Sequence, residues 1–326
     1  MIEFLASVIK FSTVFLFGAT GEIINQKSGH LNMGTPGIVF LGGLGGVIGE
    51  RIYIISLAGA PMNPFMVVFL PTIFAILFGA IGGLFFSFFT VTLHCNQNVT
   101  GLTLTTLLVG ISCFFMDPQF IPMERMSEAG SLIQNAFSWY GKLGWFGRIF
   151  LSQSWFTYLG IVVAIVAAII IAKTKVGLNL RAVGENASSA DSAGINVNAY
   201  RYIATIIGGA IAGIGGAFYT MDKSSGQWTS GVAIDEFGWL ALCIVIFSMW
   251  KPTIAIFASF GFAALKVLPT YLSTAGYLKG AGYMVYVFQL LPYIATLIVL
   301  ILTSILNSKR AQPPANLGVS YFREDR

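Results

Sequence analysis

Uncharged apolar stretches of roughly membrane-crossing length alternate with short polar breaks along the whole 326-residue chain. A bilayer's hydrocarbon core is about 30 Å thick and takes about 20 helical residues to cross. Measured against that length, the pattern predicts nine spans, at 4–24, 37–57, 64–93, 100–116, 154–172, 202–221, 237–250, 253–271 and 286–306. The expected fold class is all-α, a polytopic membrane protein of about nine transmembrane helices, because only helices or closed barrels satisfy their backbone in lipid. A barrel would read as alternating segments of about ten residues, and that pattern is missing from the chain.

The breaks and the small residues refine this picture. Gly29, Gly34 and Pro36 interrupt any helix through the polar stretch 25–36. The third span is longer than a straight crossing needs, so tilt or a kink at Pro71 is expected. Gly42/Gly46, Gly45/Gly49, Gly79/Gly83 and Gly209/Gly213 are spaced four apart, which lets membrane helices approach closely. Between 117 and 153 lies the longest break, where Trp139, Tyr140, Trp145 and Phe146 suit a short helix in the membrane interface.

Composition agrees: 56% of the residues are hydrophobic and 10% charged, against about 25% charged in soluble domains. In such a chain a net charge of +5 marks topology and implies no nucleic-acid partner. Placing the 173–201 loop and the tail in the cytoplasm gathers Lys27, Lys173, Lys175, Arg181, Arg201, Lys251, Lys309, Arg310, Arg323 and Arg326 there. Arg51, Arg125, Lys142, Arg148, Lys223 and Lys279 fall on the other side. Nine spans with the tail inside put the N-terminus outside. The organisation expected is one transmembrane domain over 1–308, with an extracellular loop at 117–153, a cytoplasmic loop at 173–201 and a cytoplasmic tail at 309–326. The first span has neither a basic lead nor an obvious cleavage site and is read as a span.

Enzyme chemistry finds no foothold. Cys95, Cys113 and Cys243 form no framework, His30 and His94 have no metal-ligand spacing, and no phosphate-binding loop occurs. The 173–201 loop stands out instead as a charged island between two uncharged spans. Within it Ser188 precedes Asp191 by three residues, a capping-box-like pair. Ala190 and Ala193 favour helix, and Gly194 sits where a left-handed residue would end one. A helix of one or two turns around 189–193 is marginal alone, so this is either a solvated loop with one ordered turn or a helix that docks on a partner.

Fewer candidates lie in the spans. Glu22 is a functional candidate because charge is costly in a bilayer; alternatively it reaches the interface, pairs with Lys27 or caps the following turn. Asn32 and Thr35 belong to irregular backbone that either lines a pathway or forms a surface loop. Thr103 and Thr106 either face a polar conduit or bond within the bundle.

The segment LNLRAVGENASSADSAGINVNAYRYIATIIGGAIAGIGGAFY resembles the cytoplasmic loop and following span of ABC importer permeases for ribose-type sugars and nucleosides. GATGEIINQKSGHLNMGTPGIVFLGG, NQNVTGLTLTTLLVG and FGWLALCIVIFSMWKP are similar to further segments of that family, in the same order along the chain. The resemblance implies the permease fold of ribose and vitamin-B12-type importers. It also implies an ATPase-coupling helix that involves Arg181, Glu185, Asn186, Ser188, Ser189, Ala190, Asp191, Ala193 and Gly194. It further implies two separate ATPase subunits that use ATP and Mg, a paralogous second permease, an extracellular substrate-binding lipoprotein and a bacterial cell membrane; the chain itself would hold no cofactor or metal. The Glu-Ile-Ile and Asn-Gln-x-Val-x-Gly-Leu patterns resemble the nucleoside branch, linked to basic membrane proteins, more than the ribose branch. Thr35-Pro36 and Ser248-Met249 depart from that branch. The alternatives are a sugar permease of the same family and a secondary transporter, for which inverted repeats and midplane ionisable residues would be expected.

Overall fold

The computed structural model describes residues 1–116, 125–134, 137, 140–224, 231–274, 282–306 and 312–322. Its principal helices are α1 (Ile2–Gln26), α2 (Thr35–Ser56), α3 (Pro64–Ser87), α4 (Gln97–Phe115), α5 (Met126–Ile133), α6 (Trp155–Lys173) and α7 (Lys175–Glu185). They continue with α8 (Ala187–Ser192), α9 (Val197–Phe218), α10 (Gly231–Phe247), α11 (Pro252–Thr274), α12 (Gly282–Gln289) and α13 (Leu291–Leu306). Among the described residues eight helical segments are long and apolar enough to cross a membrane, and the shorter apolar helix Phe237–Phe247 is the ninth of the expected series.

The core forms where α9 packs against α1, α2 and α3. Glycine makes this possible by letting backbones touch. A Cβ on Gly213 would lie 2.6 Å from the Ala75 carbonyl oxygen, and one on Gly209 would lie 2.5 Å from that of Gly79. Gly42 is pressed onto Gly213, Gly21 onto Gly208, and Gly216 onto the Val39 carbonyl. These contacts are the small-residue approach that the glycine spacing predicts. Phe15, Phe17, Phe40, Phe156 and Phe218, all fully buried, fill the remaining space. Around this centre α4 and α6 leave long faces uncovered by the rest of the chain, including Leu107, Ile111, Val162, Val166 and Ile169.

Two of the sequence's irregular stretches take definite form. α3 runs through Pro71 as one helix and continues into a π-helical turn, Phe88–Thr92. In the 117–153 break the regular helix is α5, upstream of the aromatic cluster, and its Met126, Ala129 and Ile133 are buried. It therefore packs on the bundle, because its apolar positions recur at i, i+3 and i+7. The short helix expected of the aromatic cluster is the contiguous helical run 140–151, on which Trp145 and Phe146 are exposed; Trp139 lies outside the described residues.

A close backbone contact is the least tolerant place for a side chain. Gly213→Val should destabilise the bundle by about 3 kcal/mol, since overpacking leaves the backbone no room to give. A lower thermal midpoint and a smaller monodisperse fraction in detergent would show it, whereas Gly110→Ala, at a position with open space around it, should behave as wild type.

Candidate functional site

At the bundle end that carries the 173–201 loop, a buried polar hub is built around Glu22, which is 2% exposed. One carboxyl oxygen accepts from Gln26 Nε2 at 2.9 Å and from the Asn32 backbone N–H at 3.2 Å. The other accepts from the Thr35 hydroxyl at 2.7 Å, and Asn25 Nδ2 lies 3.3 Å from it. The chain folds this way because 27–34 is too rich in turn residues to continue α1. Its backbone polar groups are buried and must find partners. Gly34 N–H donates to Asn32 Oδ1 at 2.8 Å, Leu31 N–H to Gln97 Oε1 at 2.8 Å, and the Thr105 hydroxyl to the Met33 carbonyl at 3.0 Å.

The hub extends into three more elements. The Thr205 hydroxyl of α9 donates to Asn25 Oδ1 at 2.6 Å and lies 3.1 Å from His30 Nδ1. A hydroxyl that gives its proton to Asn25 can only accept from His30, which places the imidazole proton on Nδ1. His30 is fully buried. Burial, with Arg201 nearby, holds its imidazole down at about 3. From the α10–α11 turn, Trp250 Nε1 donates to Gln26 Oε1 at 2.6 Å. Met249 and Trp250 both adopt left-handed backbone, φ 52° and 55°, which disfavours residues with a Cβ by about 1–2 kcal/mol each. The indole bond to Gln26 anchors this turn at the Ser248-Met249 departure.

The structure thus brings Glu22, Asn32 and Thr35 together and leaves Thr103 and Thr106 elsewhere. Glu22 does not pair with Lys27: among the described residues the salt bridges are Lys10–Asp222 and Arg125–Glu128. The turn-capping alternative holds, through Asn32. Thr106 is exposed and donates to its own helix, to the Leu102 carbonyl at 3.1 Å. Thr103 is exposed on the rim of a groove of about 350 Å³, beside Asn96, Val99 and Leu107. Sequence reasoning missed Gln97, Thr105, Thr205 and Trp250. Thr105, next to Thr106 and separated from Thr103 by Leu104, and Gln97 at the start of the same helix were the local signal available.

In the 173–201 loop, α7 and α8 meet at Asn186. This is a correction to the capping-box reading: the cap is Asn186, whose extended backbone (φ −152°, ψ 98°) lets its side chain accept from Ser189 N–H at 2.9 Å. Asparagine is among the best N-caps, so the helix begins two residues before the Ser188–Asp191 pair would start it. Gly194 ends it as expected, at φ +83°. Ala190 is buried with Val183, Ala187 and Val197, while Arg181, Glu185, Ser188, Ser189, Ala193 and Gly194 are exposed and Asp191 is half-buried. Gly184, at the end of α7, is pressed onto the Lys27 carbonyl at the edge of the hub. The loop and the Glu22 turn are therefore neighbours.

Among the described residues no group of three or more His, Cys, Asp or Glu side chains could hold a metal ion. The arrangement fixes an irregular turn and presents a short helix with small side chains.

The sequence model of the family described as "Branched-chain amino acid transport system / permease component" matches residues 4–303. The chain is 30% identical to the "Nucleoside ABC transporter permease protein NupC" of Lactococcus lactis subsp. cremoris, over 98% of this chain and 96% of that one. It is 27% identical to the "Guanosine ABC transporter permease protein NupQ" of Bacillus subtilis, over the same shares. With the "Putative glucose ABC transporter permease protein TsgC13" of Haloferax volcanii it shares 29% identity, over 81% of this chain and 76% of that one. No solved structure matches significantly.

The buried imidazole makes the hub sensitive to acid. Its folded value of about 3 lies below the unfolded value of about 6.5. Between the two, only the unfolded chain takes up the proton, so stability is full above about 6.5 and is lost as pH falls below it. The thermal midpoint should drop more for the wild type than for His30→Gln between about pH 7 and about pH 5. Parallel profiles would contradict this assignment.

Proposed function

The chain belongs to the branched-chain amino acid transport system / permease component family, and we propose that it is the membrane-spanning permease of an ATP-driven importer whose cargo is a nucleoside. The observation that carries the cargo assignment is the end-to-end similarity to permeases named for nucleosides and for guanosine. The similarity to a permease named for glucose is shorter and supports sugar uptake as the second reading.

In this reading the loop end faces the cytoplasm. Two ATPase subunits dock at α8, contacting Asn186, Ser188, Ser189, Asp191, Ala193 and Gly194, with Arg181 and Glu185 of α7 at the margin; Ala190 faces inward and holds the helix to its support. A helix that shows mostly Ser, Ala and Gly outward lets a partner groove approach its backbone. Coupling follows from differential binding: ATP favours one arrangement of the ATPases, and a docked helix passes on only as much preference as it binds one state better than the other. The Gly184–Lys27 contact carries that preference to the Glu22 turn.

A second, paralogous permease completes the pathway. The exposed face of α4 with Thr103, Thr106 and Gly110 suits it, since hydroxyls and a glycine beside lipid gain little and beside a polar conduit gain hydrogen bonds. An extracellular lipoprotein delivers substrate at the opposite end.

The test is purification from native membranes and reconstitution in proteoliposomes. An ATPase should co-purify, and its turnover should rise with binding protein plus nucleoside. Stimulation by sugars and not by nucleosides would select the second reading, and transport without any ATPase would refute both.

A further inference from the structure

Residues 312–322, beyond the last span, are bonded back onto the bundle. Where 312–322 is described, it crosses three connections at the loop end. Asn316 N–H donates to the Gly184 carbonyl at 2.9 Å, where α7 ends. Gly318 N–H donates to the Gly29 carbonyl at 3.0 Å, in the α1–α2 turn. Phe322 places its ring 4.6 Å from that of His94, in the α3–α4 turn. Gly318 adopts φ +80°, a conformation that favours glycine, so the path of this segment is built into its sequence.

The segment also reaches the docking helix. α8 has six residues, too few to be stable without tertiary support. Its support is a small apolar cluster of Val183, Ala187, Ala190 and Val197, and Tyr321 packs against that cluster from outside the 173–201 loop. One strand of chain thus touches the apolar back of α8 at Tyr321 and the hub turn at Gly318.

From this we infer that residues 312–322 are a positioning strap that joins α8 to the α1–α2 turn, so that the two move as one body when an ATPase pulls on α8. This rests on the proposed docking of an ATPase at α8. A preference applied to α8 reaches the hub through the Gly184–Lys27 contact and through α9, which carries Val197 of the cluster and Thr205 of the hub. The strap adds a route from outside these helices, gripping the cluster at Tyr321 and the turn at Gly318.

The experiment uses the full assembly in proteoliposomes, with the chain ending at residue 311, with Tyr321→Ala, and with Tyr321→Phe as the conservative rescue. Transport per ATP hydrolysed should fall by about 5-fold or more in the first two, with the ATPase still co-purifying at the wild-type ratio and Tyr321→Phe close to wild type. Unchanged coupling in the shortened chain would overturn the strap. Loss of the ATPase from the purified complex would overturn it too, because the tail would then be a docking contact. A second readout needs no ATPase: amide exchange at 182–196 in the isolated permease should accelerate about tenfold when the strap is removed, and unchanged exchange would overturn the inference. If the wild type yields no ATPase at all, the transport reading fails while the exchange measurement still decides the strap.

Discussion

Four donors from separate places in the chain converge on the Glu22 carboxyl group: Gln26 and Asn25 from α1 itself, the Asn32 N–H from the turn and the Thr35 hydroxyl from the start of α2. A buried acceptor pair of this kind leaves several groups unsatisfied when it is removed, each at a cost of about 1–3 kcal/mol. Its partners are themselves tied outward, Asn25 to Thr205 on α9 and Gln26 to Trp250 between α10 and α11. The loop end of the bundle is organised around this one side chain.

The glycine contacts supply the complementary constraint. Backbones that touch, as Gly213 does with α2 and α3 and Gly216 with Val39, have no side chains that could repack to absorb a shift. Interiors of this kind respond to a load by moving as a body. A helix that seats an ATPase on such a body needs only a firm connection to it. The Gly184–Lys27 contact and the bonds from the 312–322 segment provide that connection beside the hub.

Much of the fold was legible because lipid imposes one pattern: apolar runs of fixed length gave the spans, and glycine spacing gave the close contacts. Gly194 was legible as well, since a left-handed end to a helix is written in one residue. Less local features were not. Asn186 went unread as the cap because the Ser188–Asp191 pair fits a capping pattern too, and only backbone geometry chooses between them. Thr105 differs from Thr103 and Thr106 by the face it occupies, and that depends on where the irregular turn lies. Trp250 reaches Gln26 across most of the chain length, and the order of the 312–322 segment depends on carbonyls it meets only after folding; neither leaves a periodic trace.

The central claim is that Glu22 fixes the α1–α2 turn and that the 173–201 loop rests on that turn through the Gly184–Lys27 contact, so loosening the first should loosen the second. Amide hydrogen exchange on the Glu22→Ala protein tests it most directly, with the opposite end of the bundle, 52–62, as internal reference. The account predicts that exchange at 31–36 and at 182–196 accelerates together, by about tenfold or more, while 52–62 stays as in the wild type. Acceleration confined to 31–36, or none at all, would contradict it.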